Sequence, residues 1–191
     1  VPSFTTRATI DRSPEQVFAV LDDLEAAPRW MPSIRRIDVL TPGMAMGAGF
    51  KWRETRAIFG ILRMKVVLTL VRHERPAAWG LMFNDGKVQA NATFELSPSG
   101  DGGTDVVFTE EVEDLRGNPK RAERMMRMMQ KQDADLLQRL KAYVESTTEP
   151  AARAALVTPK PAKAAAKAPA KKAAAKTAAK PKPRKAASRA K

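Results

Sequence analysis

The sequence predicts an α+β domain: one antiparallel sheet of seven strands, closed by a long C-terminal helix and followed by a basic tail. Three observations carry this. Stretches of alternating polar and apolar residues follow one another between turn signals, with no room for the crossover helices that parallel strands need. Within them Leu62, Met64, Val66, Leu68 and Leu70 share one strand face, as do Val88, Ala90, Ala92, Phe94 and Leu96, which argues for a sheet covered on one side only. Beyond the last strand, Met125, Met128, Met129, Leu136, Leu140 and Tyr143 or Val144 repeat at helical spacing.

The elements read in order as follows. SFTTRATI alternates as a strand, with Phe4, Ala8 and Ile10 on or near one face. RSPEQVFAVLDDL opens a helix: Ser13 is the N-cap, Pro14 suits the first position and Gln16 completes a capping box. Val17, Phe18 and Leu21 form its buried side. EAAPRWMPSI gives a second short turn or helix between Pro28 and Pro32. Six strands come next: IRRIDVL, GFKWRETRAI, LRMKVVLTLVRHE, AWGLMFN, KVQANATFELS and TDVVFTEEVED. The breaks between them are TPGMAMGAG, FG, RPA, NDG and PSGDGG. Finally GNPKRAERMMRMMQKQDADLLQRLKAYVES reads as one long helix with Asn118 as N-cap and Pro119 first.

Charge divides the chain in two. The net charge is +13. Ala151 to Lys191 holds 10 Lys, 3 Arg and no acid, so the whole excess lies there and residues 1–150 are neutral. That segment is also rich in Ala and Pro, with Leu156 and Val157 its only large apolar residues. It is expected to stay unstructured when free, having too little to bury. The expected organisation is a folded domain over 1–148 and a disordered tail over 149–191. There is no cysteine, which removes disulfides and thiolate metal sites. The opening VPSFTTRATI has no basic region followed by an apolar run, so no signal peptide is expected, and no apolar stretch is long enough for a transmembrane helix. The expected location is cytoplasmic, extended to the nucleoid by the tail.

Chemistry is sparse. Glu54 falls on the strand face of Phe50 and Trp52, and Glu110 follows Val106 and Phe108 in alternation. Inward, both would be carboxyls in an apolar surround, where desolvation raises the pKa and suits them to acid or base work. Turned outward, or tied up in a satisfied network with Arg56, they would be structural. His73, the only histidine, lies in VRHERP and reads as a surface residue at a frayed strand end. One histidine without cysteine builds neither a zinc site nor a readable Ser/His/Asp set. GMAMGAG lacks the lysine and the strand-to-helix context of a phosphate loop. No metal or cofactor is expected.

The strand, the segment SPEQVFAVLDD followed by Trp30, the GFKWRET strand and the closing DLLQRLKAYVES together resemble the START-like (SRPBCC, Bet v 1-like) superfamily over about residues 3–146. The similarity points to the polyketide cyclase/dehydrase-like or coenzyme-Q-binding-like branch. It implies a helix-grip fold, in which a curved sheet wraps the long helix and leaves a cavity. It also implies a small hydrophobic ligand: a lipid, quinone or polyketide-like molecule. Ala90 and Ala92 are small residues in a core-facing row and would leave space. The methionines of RMMRMM adapt to different shapes, although methionine at helical spacing also fills ordinary cores. The side chains expected to touch a ligand are Trp52, Met64, Leu68, Ala90, Ala92, Phe94, Phe108, Met125 and Met129. Two rivals stay open: an aromatic cyclase or dehydratase using Glu54 and Glu110, and a protein-interaction module with a vestigial cavity.

The tail, over 159–191, resembles linker-histone tails in composition. Nucleic acid is the expected partner, contacted at phosphates by Lys163, Lys167, Lys171, Lys172, Lys176, Lys180, Lys182, Arg184, Lys185 and Arg189. No aromatic residue is present there to stack on bases. An anionic membrane surface is the alternative partner, without an apolar anchor to support it.

Overall fold

The computed structural model describes residues 1–58 and 62–148. The tail, with all ten of the basic side chains assigned above to phosphate contact, lies outside the described residues.

Seven strands form one antiparallel sheet in the order β1-β7-β6-β5-β4-β3-β2. They are β1 (Ser3–Ile10), β2 (Ile34–Val39), β3 (Lys51–Ile58), β4 (Leu62–Glu74), β5 (Ala78–Asn84), β6 (Val88–Pro98) and β7 (Thr104–Asp114). Helices α1 (Pro14–Asp22) and α2 (Ala27–Trp30) fill the connection from β1 to β2. The sheet is curved, and helices at the C-terminal end of the domain complete the α+β architecture. The first and last strands of the chain's folded part are neighbours, with Phe4 opposite Glu110 and Ile10 opposite Thr104.

Local chemistry explains the boundaries. The Ser13 hydroxyl accepts from the Gln16 backbone N–H and the Gln16 side chain accepts from the Ser13 N–H, a complete capping box with Pro14 behind it. Val17, Phe18, Val20 and Leu21 are the buried residues of α1. The turn between β6 and β7 presses on the end of β1. A Cβ at Gly103 would stand 2.6 Å from the Ile10 carbonyl oxygen, which only glycine avoids.

Alternation is clean in β6 and β7, where Val88, Ala90, Ala92, Phe94 and Leu96 and then Val106, Phe108, Glu110 and Val112 are buried. In β4 it is clean only past its midpoint. Val66, Leu68 and Leu70 are buried, whereas Leu62 and Met64, of the same parity, are 64% and 38% exposed. The strand overshoots what covers it, so Met64 sits at a rim and not in the core.

The predicted long helix is two helices, α3 (Pro119–Gln132) and α4 (Leu136–Thr147). Asp133 and Asp135 fall in the gap, and aspartate competes with helical backbone bonding. Asp133 caps α3, its N–H donating to the Met129 carbonyl at 2.9 Å. The buried residues of α3 are Ala122 and Met126, not the Met125, Met128 and Met129 of the predicted stripe; those three face the cavity described below. Leu136, Leu137, Leu140 and Val144 are buried on α4. Buried Arg12 pins the far end of α4. Its Nε donates to the Thr148 carbonyl at 2.9 Å and its Nη2 to the Glu145 carbonyl, while Thr104 Oγ1 donates to the Arg12 carbonyl at 2.6 Å.

Candidate functional site

A cavity with two adjoining lobes lies between the sheet and the helices. The inner lobe, about 50 Å³, has walls from α1, α2, β3, β5, β6, β7 and the α3–α4 break. Its apolar surface comes chiefly from Trp30, Trp52, Trp79, Phe94 and Phe108. Four of these rings, those of Trp52, Trp79, Phe94 and Phe108, form a chain of contacts, with Trp52 and Trp79 centroids 6.1 Å apart, Trp79 and Phe94 5.9 Å, and Phe94 and Phe108 4.8 Å. The outer lobe, about 170 Å³, runs under α3 and is lined by Met64, Leu68, Ala90, Met125, Met128 and Met129 among others. Ala92, Leu81, Arg56, Glu110 and Asp133 border both lobes. Each of the nine side chains expected from the sequence to touch a ligand falls on the wall of one lobe or the other.

The polar part of the site is concentrated where the lobes meet. Glu54 and Glu110 both face inward and are 2% and 5% exposed. Strand alternation places them there, Glu54 opposite Val66 on β4 and Glu110 opposite Ala92 on β6. Glu54 is fully engaged. Its Oε1 accepts from Trp52 Nε1 at 2.9 Å and its Oε2 from Arg56 Nε at 2.6 Å. Arg56 is also next on that face, and the pairing is the buried network weighed above for Glu54. Burial works against the Arg56 charge, but Glu54, with Asp133 and Glu110 beyond it, outweighs that and raises the pKa above its ordinary value.

Glu110 is different: its Oε2 is buried with no hydrogen-bond partner. Burial, with the nearby Asp133 carboxyl adding to it and Arg56 opposing, pushes the Glu110 pKa up to about 8. A pKa there favours the protonated carboxyl at neutral pH, and in that form it is a hydrogen-bond donor. Asp133 is also buried, and burial raises its carboxyl above the usual range against the pull of Arg56 and Arg139.

The sequence reading did not find Asp133. The signal was present: Ala122, Met126, Asp133, Leu137, Leu140 and Val144 follow one helical stripe, and an aspartate in an apolar stripe marks a buried carboxyl. The reading of His73 as a surface residue is also corrected. It is half-buried, its Nε2 3.0 Å from Asp22 Oδ1, with its ring edge-on to Phe18. The same Asp22 oxygen accepts from Trp79 Nε1 at 3.1 Å, which fixes that indole in the cavity wall. This cluster positions the wall and does not open into the cavity. Among the described residues no three His, Asp or Glu side chains converge on a metal position, and no helix is long and apolar enough to cross a membrane.

Comparison with known proteins bears on the same residues. A model of the family described as polyketide cyclase / dehydrase and lipid transport matches residues 1–145. No curated protein matches. Among solved structures, a START superfamily protein from Mycobacterium smegmatis is 17% identical, covers 76% of this chain and 99% of its own, and superposes with a TM-score of 0.63. A protein from Thermus thermophilus is 21% identical over 78% of this chain and 100% of its own, with a TM-score of 0.61. Norcoclaurine synthase from Thalictrum flavum, solved with dopamine and hydroxybenzaldehyde, is 12% identical over 78% and 88%, with a TM-score of 0.60. At these identities the likeness is one of fold.

Proposed function

The chain belongs to the polyketide cyclase / dehydrase and lipid transport family, and on that premise we propose that it binds a small hydrophobic molecule of the lipid, quinone or polyketide class in the two-lobed cavity. The observation that carries this is an aromatic lobe adjoining a methionine-lined one, apolar concavities with a few placed polar groups, as small-molecule sites are built. Methionines on α3 give the outer lobe walls that adapt to shape. Ala92 lines both lobes, and its small side chain leaves space there.

A neutral apolar fluorophore, N-phenyl-1-naphthylamine, should bind the protein. Ala92→Leu should weaken that binding by about tenfold or more, because close-packed walls cannot yield the space the larger side chain takes. Circular dichroism and a melting curve exclude simple overpacking damage. Unchanged affinity in a folded variant would remove the cavity from the account.

The enzyme reading has one observation in its favour. Glu110, with an unpartnered Oε2 and a pKa raised by burial, and Glu54, held by Arg56 and Trp52, are carboxyls in different surroundings on one cavity wall. Turnover of a β-hydroxy carbonyl compound that Glu110→Leu abolishes would establish it.

The second part of the proposal concerns the tail. The folded region is neutral and the 13 positive charges from Ala151 onward stand alone, so we assign nucleic-acid binding to the tail, at phosphates and without base readout.

A further inference from the structure

The inner lobe leaves two polar atoms without a partner, Glu110 Oε2 and Trp30 Nε1. Their residues are 5% and 4% exposed, so water does not freely compensate them. Of the other polar groups of that lobe, Glu54 is held by Trp52 and Arg56, and the Trp79 N–H by Asp22. An indole N–H can only donate. A ligand that satisfies Trp30 must therefore offer an acceptor.

The charges around Glu110 narrow the choice. From β3 it faces Arg56, whose guanidinium is bound to Glu54; from the α3–α4 break it faces Asp133, itself buried; its own strand supplies Val106, Phe108 and Val112 as further buried neighbours. An entering carboxylate would add a negative charge beside the buried carboxyls of Glu110 and Asp133, where the guanidinium of Arg56 is already paired with Glu54. An entering ammonium would leave the Trp30 N–H without a partner. A neutral acceptor oxygen meets neither objection.

We propose that Glu110 and Trp30 form a two-donor subsite for a neutral carbonyl oxygen, so that the ligand is an apolar ketone or quinone-type compound and not a free fatty acid or an amine. This rests on the reading of the cavity as a hydrophobic ligand site. The raised pKa of Glu110 supplies the second donor at neutral pH, since the carboxyl then carries the proton that the carbonyl accepts. Carbonyl binding should be fully present below about pH 8 and weaken as Glu110 ionises above it.

The chain's three tryptophans, Trp30, Trp52 and Trp79, all line the inner lobe, so their fluorescence in the full chain reports occupancy directly. Four probes of similar size separate the possibilities: propiophenone, propylbenzene, 3-phenylpropanoate and 3-phenylpropylamine. At pH 6.5 propiophenone should bind about tenfold tighter than propylbenzene and tighter than either charged probe. At pH 9.5 its advantage over propylbenzene should shrink to what the Trp30 N–H alone supplies. Glu110→Gln keeps an N–H donor, so it should retain the ketone preference and lose the pH dependence. Glu110→Leu should reduce the preference to what the Trp30 N–H alone supplies; if that variant fails to fold, the wild-type pH series and Glu110→Gln still decide. Equal binding of ketone and hydrocarbon, tighter binding of the amine or the carboxylate, or a Gln variant that shows no ketone preference would each overturn the subsite while leaving the cavity reading intact. No binding of any of the four would overturn the cavity reading and the subsite together.

Discussion

Arg56→Met is expected to destabilise the domain by about 3–5 kcal/mol, because it strips the cation from a buried pair and leaves a carboxylate behind. Glu54 is 3% exposed at its side chain and takes Arg56 Nε at 2.6 Å. Its other oxygen is held by Trp52, so it cannot turn toward water without breaking the aromatic wall. Arg56 also faces Glu110 and Asp133, both with raised pKa values that the guanidinium holds down. Removing it leaves three buried carboxyls to share protons among themselves. The double variant Glu54→Gln, Arg56→Met removes both charges, and most of the lost stability should return, since neutral groups of similar size cost far less to bury than one unpaired ion. Urea denaturation of the three proteins reads this directly. A loss below about 1 kcal/mol in the single variant would mean that the pair is solvated, as surface pairs are.

Truncation after Pro150 is expected to remove nearly all binding to duplex DNA and to leave the melting temperature almost unchanged. The truncated chain has no net charge, hence no long-range attraction to a polyanion, whereas the full chain carries 13 surplus positive charges, all beyond that point. Affinity of the full chain should fall steeply with salt, with a log–log slope no steeper than about −12, the limit for all 13 charges on phosphates. Sequence preference should be slight, since lysines on phosphates position a protein without reading bases. Ala151–Lys191 fused to an inert carrier should recover most of the affinity. Equal binding by the truncated chain would place the site on the fold, with Arg121, Arg124 and Arg127 of α3 as the candidate patch. A large fall in melting temperature would show that the tail packs on the domain.

The strands and their inward faces were legible because a period of two is a local property. Alternation alone put Glu54, Glu110, Ala90 and Ala92 on the cavity side. The capping box at Ser13 and the N-cap at Asn118 were legible for the same reason. What was not legible depends on partners far apart in the chain. Met64 has the parity of a core residue, but it lines the outer lobe and is 38% exposed. His73 looked exposed because its neighbours in sequence are charged, yet Asp22, 51 residues away, holds its ring against α1. Asp133 was hidden inside a stretch that reads as continuous helix. The break there is decided by two aspartates and by a cavity that receives one of them. Of the site, then, the apolar walls and two of the three carboxyls could be read in advance, while the raised pKa of Glu110 comes first from its burial, with the third carboxyl adding to it.

Native mass spectrometry of the full chain purified from its own host tests the central claim most directly. The expected result is a population heavier than the polypeptide by the mass of one neutral apolar molecule, released by organic solvent and depleted in Ala92→Leu. A bare polypeptide mass in every preparation, together with failure of apolar ligands to bind when added, would contradict it.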